Sequence, residues 1–196
     1  GDLIGASPLL SALFHDEPTI EAMDALGLDI NGVGNHEFDE GLDELLRMKR
    51  GGCHPEEGCG ERATFDGAGF EFLAANVIDE RSGETVFPAV SVREVGGVKV
   101  GFIGLTLENT PGMLPPIVPH LDFRDEAETA NRHVERLKTE GVRAIVVLLH
   151  EGGFAESEDP NACEGLSGPV VDVVRRLDPE IDLVVSGHTH QAYVCE

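Results

Sequence analysis

Gly34-Asn35-His36-Glu37 follows a short apolar run at residues 29–33, and Gly187-His188-Thr189-His190 follows a second run at residues 181–185. In each case, a polar tip that carries histidine comes directly after a segment typical of a buried strand. In open α/β sheets, ligands bind in the crevice beyond the carboxyl ends of the strands. Imidazole, amide and carboxylate groups gathered there are groups that hold a metal ion. The two stretches therefore predict an α/β domain with a metal-binding edge.

The composition is that of one acidic globular domain. The chain has 196 residues, of which 41% are hydrophobic, and its formal net charge is −23. This charge argues against binding a nucleic acid polymer through a basic patch, and one Tyr with no Trp offers no stacking platform for bases. No apolar stretch approaches the roughly 20 residues of a transmembrane segment. Since the chain opens on Gly1 rather than Met, we expect that an upstream segment has been removed.

The four cysteines favour two disulfide bonds. Cys53 and Cys59 bracket a short loop rich in Pro and Gly, which is compatible with a local disulfide, and Cys163 and Cys195 would then pair by elimination. An even number of cysteines in loops favours an oxidising compartment. We therefore expect a secreted, periplasmic or cell-surface protein, with four unrelated thiols as the alternative.

Apolar strands alternate with amphipathic helices along the chain, which predicts layered α/β architecture. A hairpin is expected over residues 89–105 with its turn at Gly96-Gly97, and residues 111–119 are expected to form a proline-rich connector. The other predicted strands are residues 30–33, 70–77, 144–149 and 181–185, and the predicted helices are residues 17–28, 42–50, 125–140 and 169–177.

Five residues beside predicted strand ends, or at the start of the chain, are candidate metal ligands: Asp2, Asn35, His150, His188 and His190. Taken singly, each of them fits a structural role, since a lone histidine beside a strand is more often a hydrogen-bonded structural residue. His188 and His190 alternate across Thr189, so in an extended segment both imidazoles would point to one side. The combination favours a metal site.

Four motifs give the chain a family resemblance. They are Gly1-Asp2 with Gly5, residues 34–39 (GNHEFD), His150-Glu151-Gly152-Gly153 and Gly187-His188-Thr189-His190. In this order, across nearly the whole chain, they resemble the calcineurin-like metallophosphoesterase superfamily, and within it the secreted bacterial 5'-nucleotidase family. The resemblance implies a layered metallophosphoesterase-type β-sandwich flanked by helices, here incomplete.

The resemblance also implies a role for each site residue. Asp2 would bridge two divalent metal ions (Mn, Zn, Fe or similar). Asn35, His150 and His188 would complete the second ion, while His190 would bind the first. His36, with Asn35, would face the phosphate, and Asp39 would orient His36. Two ions about 4 Å apart would activate a hydroxide for in-line attack. His36 as imidazolium would stabilise charge on the phosphoryl group and protonate the leaving alkoxide.

The first metal would lack ligands in this chain. Family members supply them from an Asp-x-His motif on the first strand, upstream of the position of Gly1, and no such motif occurs here. We therefore expect residues 1–196 to be a metallophosphoesterase catalytic domain that lacks this strand and the C-terminal substrate-specificity domain. The first metal should bind weakly or not at all, and the chain alone should be inactive or weak.

The resemblance implies 5'-nucleotidase-type hydrolysis of nucleoside monophosphates, with a small-molecule phosphate ester as partner. One alternative keeps the fold but acts on cyclic nucleotides, nucleotide sugars or sulfur esters. Another is a non-catalytic secreted domain with a vestigial metal site. The presence of both His36 and Asp39 argues against that alternative, because a structural site needs no acid–base pair.

Overall fold

The structure is a computed structural model that describes residues 1–59, 64–113 and 118–196. Its described residues form helices and strands in the alternating order that the sequence predicts. The helices are α1 (Leu9–Ala12), α2 (Glu17–Leu26), α3 (Gly41–Arg50), α4 (Thr110–Met113), α5 (Glu126–Thr139) and α6 (Pro169–Arg176), with a short 3-10 helix at His36–Phe38. The strands are β1 (Ile30–Gly32), β2 (Glu71–Leu73), β3 (Val77–Asp79), β4 (Glu84–Thr85), β5 (Val90–Val95), β6 (Val98–Thr106), β7 (Leu121–Phe123), β8 (Ala144–His150) and β9 (Leu183–Ser186).

Three sheets arise from these strands. The largest has the order β5-β6-β8-β9, in which β5 and β6 are antiparallel and β6, β8 and β9 are parallel. A second sheet pairs β1 with β2 in parallel, and a third has the antiparallel order β4-β3-β7. The predicted hairpin is confirmed: Gly96 and Gly97 have φ of 59° and 82°, the left-handed values that a two-residue hairpin turn of this kind requires.

The sheet of β1 and β2 packs directly on the four-stranded sheet. A Cβ placed on Gly32 of β1 would lie 3.0 Å from Leu148 Cβ of β8, and one placed on Gly104 of β6 would overlap Leu73 of β2. Residues without side chains at these two crossings therefore let the sheets approach closely. One core cluster, around Phe38 and Phe72, lies on the β1–β2 side, and the second forms between the large sheet and helices α5 and α6.

The carboxyl ends of strands from both sheets meet at one edge. Thr106, the last residue of β6, is fully buried and donates its hydroxyl hydrogen to the carbonyl oxygen of Val33, 2.8 Å away, just after β1. β8 ends at His150 beside Thr106, in register with it. This edge carries the residues that the sequence marks as ligands.

The predicted strand at residues 70–77 is wrong as a single strand. It is divided between β2 and β3, which lie in different sheets. Asn76 lies in the break and is fully buried, donating through Nδ2 to the carbonyl oxygens of Thr106 and Arg124 and accepting the N–H of Thr106. These three bonds satisfy backbone groups of two sheets at once, so the chain leaves one sheet here and joins another.

Several boundaries follow local chemistry. Asp125 caps α5 by accepting the N–H of Glu128 at 2.8 Å, and α2 ends at Leu26 because Gly27 adopts a left-handed φ of 81°. The predicted connector at residues 111–119 begins inside α4, and residues 114–117 lie outside the described residues. Both expected disulfides, Cys53–Cys59 and Cys163–Cys195, are present. Within the described ranges, no helix has the length and apolar character needed to cross a membrane.

Candidate metal centre

On one side of the site, residues 1–2 contact the loop that follows β1. A Cβ placed on Gly34 would overlap the side chain of Asp2, so only glycine fits there. Asp2 has a left-handed φ of 57°, and its Oδ1 accepts the backbone N–H of His36 at 2.9 Å. A non-glycine residue held in this conformation is a local strain of the kind found at functional sites.

Glu37 holds this side of the site together. Its buried carboxylate accepts the backbone N–H groups of Asp2 (2.8 Å), Leu3 (2.9 Å) and Gly34 (2.8 Å), and the side-chain amide of Asn31 at 3.2 Å. One charged group therefore satisfies four donors from two separate segments. Both oxygens of Glu37 are engaged in this way, so Glu37 supports the backbone around the cluster.

His150 is the centre of the cluster. Its imidazole is 2% exposed, and its Nε2 lies 2.9 Å from Oδ2 of Asp2 and 3.1 Å from Oδ1 of Asn35. The ring of His188 packs edge-on against it with 5.2 Å between centroids. One ligand atom from each of Asp2, His150 and His188 lies within 4.8 Å of the others. Four of the five expected ligands therefore come together.

His36 and Asp39 form the expected pair beside the cluster. The Nδ1 atom of His36 lies 2.8 Å from Oδ2 of Asp39, one helical turn further on. The 3-10 helix at residues 36–38 brings them together, because side chains three positions apart lie on the same helical face. The imidazole of His36 is partly exposed, which leaves its other edge accessible to a ligand.

The pKa values of His36 and His188 are shifted in opposite directions. Partial burial acts to lower the pKa of His36, but the hydrogen bond to Asp39 and the charges of Asp39, Asp2 and Glu37 outweigh it and raise that pKa. Burial and the neighbouring His150 lower the pKa of His188. Near neutral pH, His36 is thus the better proton donor, and His188 is the neutral imidazole that a metal ligand must be.

The donor set fits a divalent metal ion. An acidic oxygen, an amide oxygen and imidazole nitrogens converge, and the separations around His150 Nε2 are close to those between two ligands of one ion, about 3.0–3.4 Å. Burial acts to raise the pKa of Asp2, but the hydrogen bond and charge of His150 and the N–H of His36 outweigh it. The net pKa is lowered, which keeps the carboxylate ionised. The Nδ1 atom of His150 is buried with no hydrogen-bond partner among the described residues, a cost that native proteins bear mainly at functional positions.

The segment at residues 187–190 differs from the expectation. It is not extended, because His188 and His190 have left-handed φ values of 71° and 54°. The alternation argument is therefore wrong: His188 joins the cluster around His150, whereas His190 is exposed and lies outside that group of ligand atoms. Thr189 turns inward instead, donating its hydroxyl hydrogen to the carbonyl oxygen of Gly153 at 2.9 Å.

Sequence reasoning missed two supporting residues. Asp16 reads as an ordinary helix-start charge, but it is 5% exposed, has a φ of 60°, and accepts the N–H of Gly5 at 2.9 Å. It thereby ties the segment after Asp2 to α2. Thr189 has no signal beyond its position between two histidines. Neither contact is visible in the sequence, because both partners are distant backbone groups.

Related proteins are similar in sequence over almost the whole chain. The chain is 41% identical over 192 residues to a protein named endonuclease YhcR of Bacillus subtilis, covering 97% of this chain and 15% of the relative. It is 31% identical over 190 residues to a 5'-nucleotidase of Vibrio vulnificus, covering 95% of this chain and 31% of the relative. The chain thus spans less than a third of the length of either relative. No protein-family model matches the chain.

A solved structure extends the likeness to the fold. The calcineurin-like phosphoesterase YfkN from Bacillus subtilis superposes with a TM-score of 0.63 at 28% identity, covering 89% of this chain and 48% of that protein. The chain is therefore homologous to proteins named 5'-nucleotidase and has structural neighbours in the calcineurin-like phosphoesterase family.

Proposed function

We propose that this domain hydrolyses phosphoric esters with the help of divalent metal ions, and that its substrates are nucleoside monophosphates. Calcineurin-like phosphoesterases use divalent metals, and this chain has a fitting ligand group. The observation that carries the proposal is the His36–Asp39 pair beside the cluster of Asp2, Asn35, His150 and His188. A purely structural metal site has no use for a partly exposed imidazole oriented by a carboxylate.

The ligand residues divide the work in this proposal. Asp2, Asn35, His150 and His188 would hold one ion, and Asp2 and His190 would contribute to another. When bound, ions of the Mn, Zn or Fe type withdraw charge from phosphate oxygens and lower the pKa of water. The exposed position of His190 is compatible with a ligand that needs partners from outside residues 1–196.

His36 supplies the proton chemistry. Its Nδ1 is engaged by Asp39, so the Nε2 atom is the position from which a proton passes to the leaving alkoxide of the ester. The raised pKa of His36 keeps the proton available near neutral pH. The same imidazolium offsets negative charge on the phosphoryl group while the bond breaks. Asn35, next in the chain, is the other residue that we propose to contact the phosphate.

Residues 1–196 act, in this proposal, as a catalytic domain within a longer protein. The relatives are several times longer than the matched region, which supports placing the Asp-x-His ligands and the substrate-specificity domain elsewhere. The two disulfides support a secreted, periplasmic or cell-surface location, because such bonds persist in oxidising compartments.

Cleavage of phosphodiesters in a nucleic acid is the second candidate. It is favoured by the relative named as an endonuclease, which has the higher identity of the two relatives. The net charge of −23 favours a small ester over a polyanion, since like charge opposes association with a nucleic acid backbone.

A substrate panel separates these functions. The full-length protein is assayed with AMP, a cyclic nucleotide, a nucleotide sugar, a sulfur ester and single-stranded DNA, in Mn²⁺, in Zn²⁺ and in EDTA. We expect AMP hydrolysis that EDTA abolishes and that His36→Ala reduces while bound metal is retained. Cleavage of DNA in preference to AMP would establish the second candidate. Equal activity in His36→Ala would overturn the role of His36.

A further inference from the structure

A second cluster of metal-binding side chains lies apart from the Asp2–His150 cluster. One ligand atom from each of His15, Glu40, Glu44 and His54 lies within 4.8 Å of the others. His15 is in the corner before α2, Glu40 and Glu44 are at the start of α3, and His54 is inside the loop closed by the Cys53–Cys59 disulfide. Three separate segments thus converge on one point.

His15 lies between two carboxylates. Its Nδ1 is 3.0 Å from Oε2 of Glu40, and its Nε2 is 3.3 Å from Oε2 of Glu57. The backbone at His15 and at Asp16 is left-handed, with φ of 50° and 60°. Two consecutive non-glycine residues in this region are costly, and such strain persists only where the surroundings enforce it.

Asp16, next to His15 in the chain, has an acidic oxygen without a partner among the described residues. The residue is 5% exposed, and this oxygen, Oδ1, is buried. Asp16 lines one small cavity together with His15, Glu40 and Glu44, and His36 and Asp39 line another part of the same cavity. A buried carboxylate oxygen without a partner costs stability unless a cation compensates it.

The relative orientation of the two imidazole rings allows only one of them to coordinate an ion. The imidazoles of His15 and His54 are stacked, with 4.0 Å between centroids and 10° between planes. An ion in the plane of one ring therefore lies outside the plane of the other, and only one of them coordinates it. The Nδ1 atom of His54 accepts the backbone N–H groups of Glu56 and Glu57, whereas Nδ1 of His15 faces the carboxylate of Glu40, which favours His15 as the ligand and His54 as the ring stacked on it.

We propose that His15, Glu40 and Glu44 bind a divalent cation of the Zn²⁺ type, through Nδ1 of His15 and one carboxylate oxygen from each glutamate. The ion takes the place of the proton between His15 and Glu40. Ligands of a tetrahedral ion are separated by about 3.3 Å, so the 3.0 Å contact needs to open only slightly. An imidazole with two carboxylates is a set that Zn²⁺ accepts. Water completes the coordination, and the bound ion ties the disulfide loop to α3.

The surrounding charges tune this site. Arg47 binds both oxygens of Glu44, at 2.8 and 2.7 Å, and fixes the direction of that carboxylate while each oxygen keeps a free lone pair. Partial burial acts to lower the pKa of His15, but hydrogen bonds and charges from Glu40 and Glu57 raise it overall. Because the ion and the proton compete for the same nitrogen, cation affinity falls as the pH is lowered.

Counting bound Zn²⁺ tests the site independently of hydrolysis. The full-length protein is dialysed against Zn²⁺ and its ion content is measured beside His15→Phe, which keeps the stacked ring but has no ligand atom. We expect one ion fewer per chain in His15→Phe, or affinity at least about 100-fold lower by calorimetry. Glu40→Gln should give the same loss, and it serves if His15→Phe does not fold.

Matched controls locate the ion. His54→Phe and Glu57→Gln alter neighbours of His15 that are not proposed ligands, so they should retain the full ion count. His150→Ala should remove ions of the other cluster and leave this one bound. In crystals grown with Zn²⁺, an anomalous difference peak should lie between His15 and Glu40. An unchanged ion count in both His15→Phe and Glu40→Gln, or a peak at His150 with none at His15, overturns the proposal.

Discussion

The two histidine-bearing loops of the site are held in opposite ways. The first loop, residues 34–39, is fixed by the four bonds of Glu37, by Asp2 accepting the His36 N–H, and by the His36–Asp39 pair. The second loop, residues 187–190, has one long-range hydrogen bond among the described residues, from Thr189 to Gly153, and left-handed backbone at both histidines. The described hydrogen bonds therefore hold the first loop more firmly than the second, and in the proposed metal site the geometry of the second loop would depend more on a bound ion.

Replacing His36 in the first loop should have the largest effect, a loss of catalytic activity. His36→Ala should reduce kcat for AMP hydrolysis by about 10²–10⁴-fold, because the proton donor is lost. Metal content should stay at the wild-type level, since His36 is not a ligand in this scheme. Activity and metal content are measured on the same full-length sample. A parallel loss of metal would show that the first loop is not independent of the ion.

Removing a ligand from the second loop should have the next largest effect. His188→Ala should weaken Mn²⁺ binding by about 100-fold in calorimetry, because a neutral imidazole beside His150 is lost. The ion-free protein should unfold at the wild-type temperature, since the second loop adds little to stability without the ion. His190→Ala is the control within the same loop, and it should change the affinity of this ion less than tenfold.

Replacing Glu37, which accepts four hydrogen bonds at the first loop, should lower the stability of the fold. Glu37→Gln should lower the free energy of unfolding by about 2 kcal/mol, because the amide offers one oxygen to four donors and turns its own N–H groups toward them. Urea unfolding of the ion-free protein gives the measurement. Glu151→Gln is the matched control: this buried carboxylate accepts one described bond, from Gly152 at 2.8 Å, and its loss should cost less.

Replacing Asp39 should have the smallest effect, a change in the pKa of His36. In protein freed of metal by a chelator, the pKa of His36 should lie above the ordinary 6.5, and Asp39→Asn should lower it. A raised folded-state pKa means that the pair stabilises the fold fully below about pH 6.5, and that this contribution is lost as the pH rises through the raised value. NMR titration of the imidazole protons gives both values. Equal pKa values would contradict the orienting role of Asp39.

Much of the fold follows from local pattern. Helix α3 ends at Arg50 before Gly51, α5 begins after the Asp125 cap, and the hairpin turns at Gly96-Gly97, all where short-range chemistry places them. The break between β2 and β3 could not be predicted in this way. It depends on Asn76 bonding to Thr106 and Arg124, 30 and 48 residues away, and the apolar pattern around Asn76 is continuous.

In the site, too, the contacts between residues close in sequence could be predicted, and the contacts between distant segments could not. The His36–Asp39 pair spans three residues, so its contact follows from a helical turn. Side chains alternate only where the backbone is extended, and His188 and His190 have left-handed backbone instead. The direction of the His190 side chain therefore does not follow from alternation. The four donors that reach Glu37 come from two segments, and no local pattern reveals that convergence.

The glycines at the sheet crossings determine more than packing. Asp2 and Asn35 lie on the side of the β1–β2 sheet, while His150 and His188 follow strands of the large sheet. The thickness of the interface at Gly32 and Gly104 therefore sets the distance across which the two pairs face one another. A methyl group added at Gly104, which is not a proposed ligand, would overlap Leu73, and we expect it to change the spacing of the proposed ligands while all of them stay in the sequence. The geometry of the proposed metal site would then depend in part on the packing of the core.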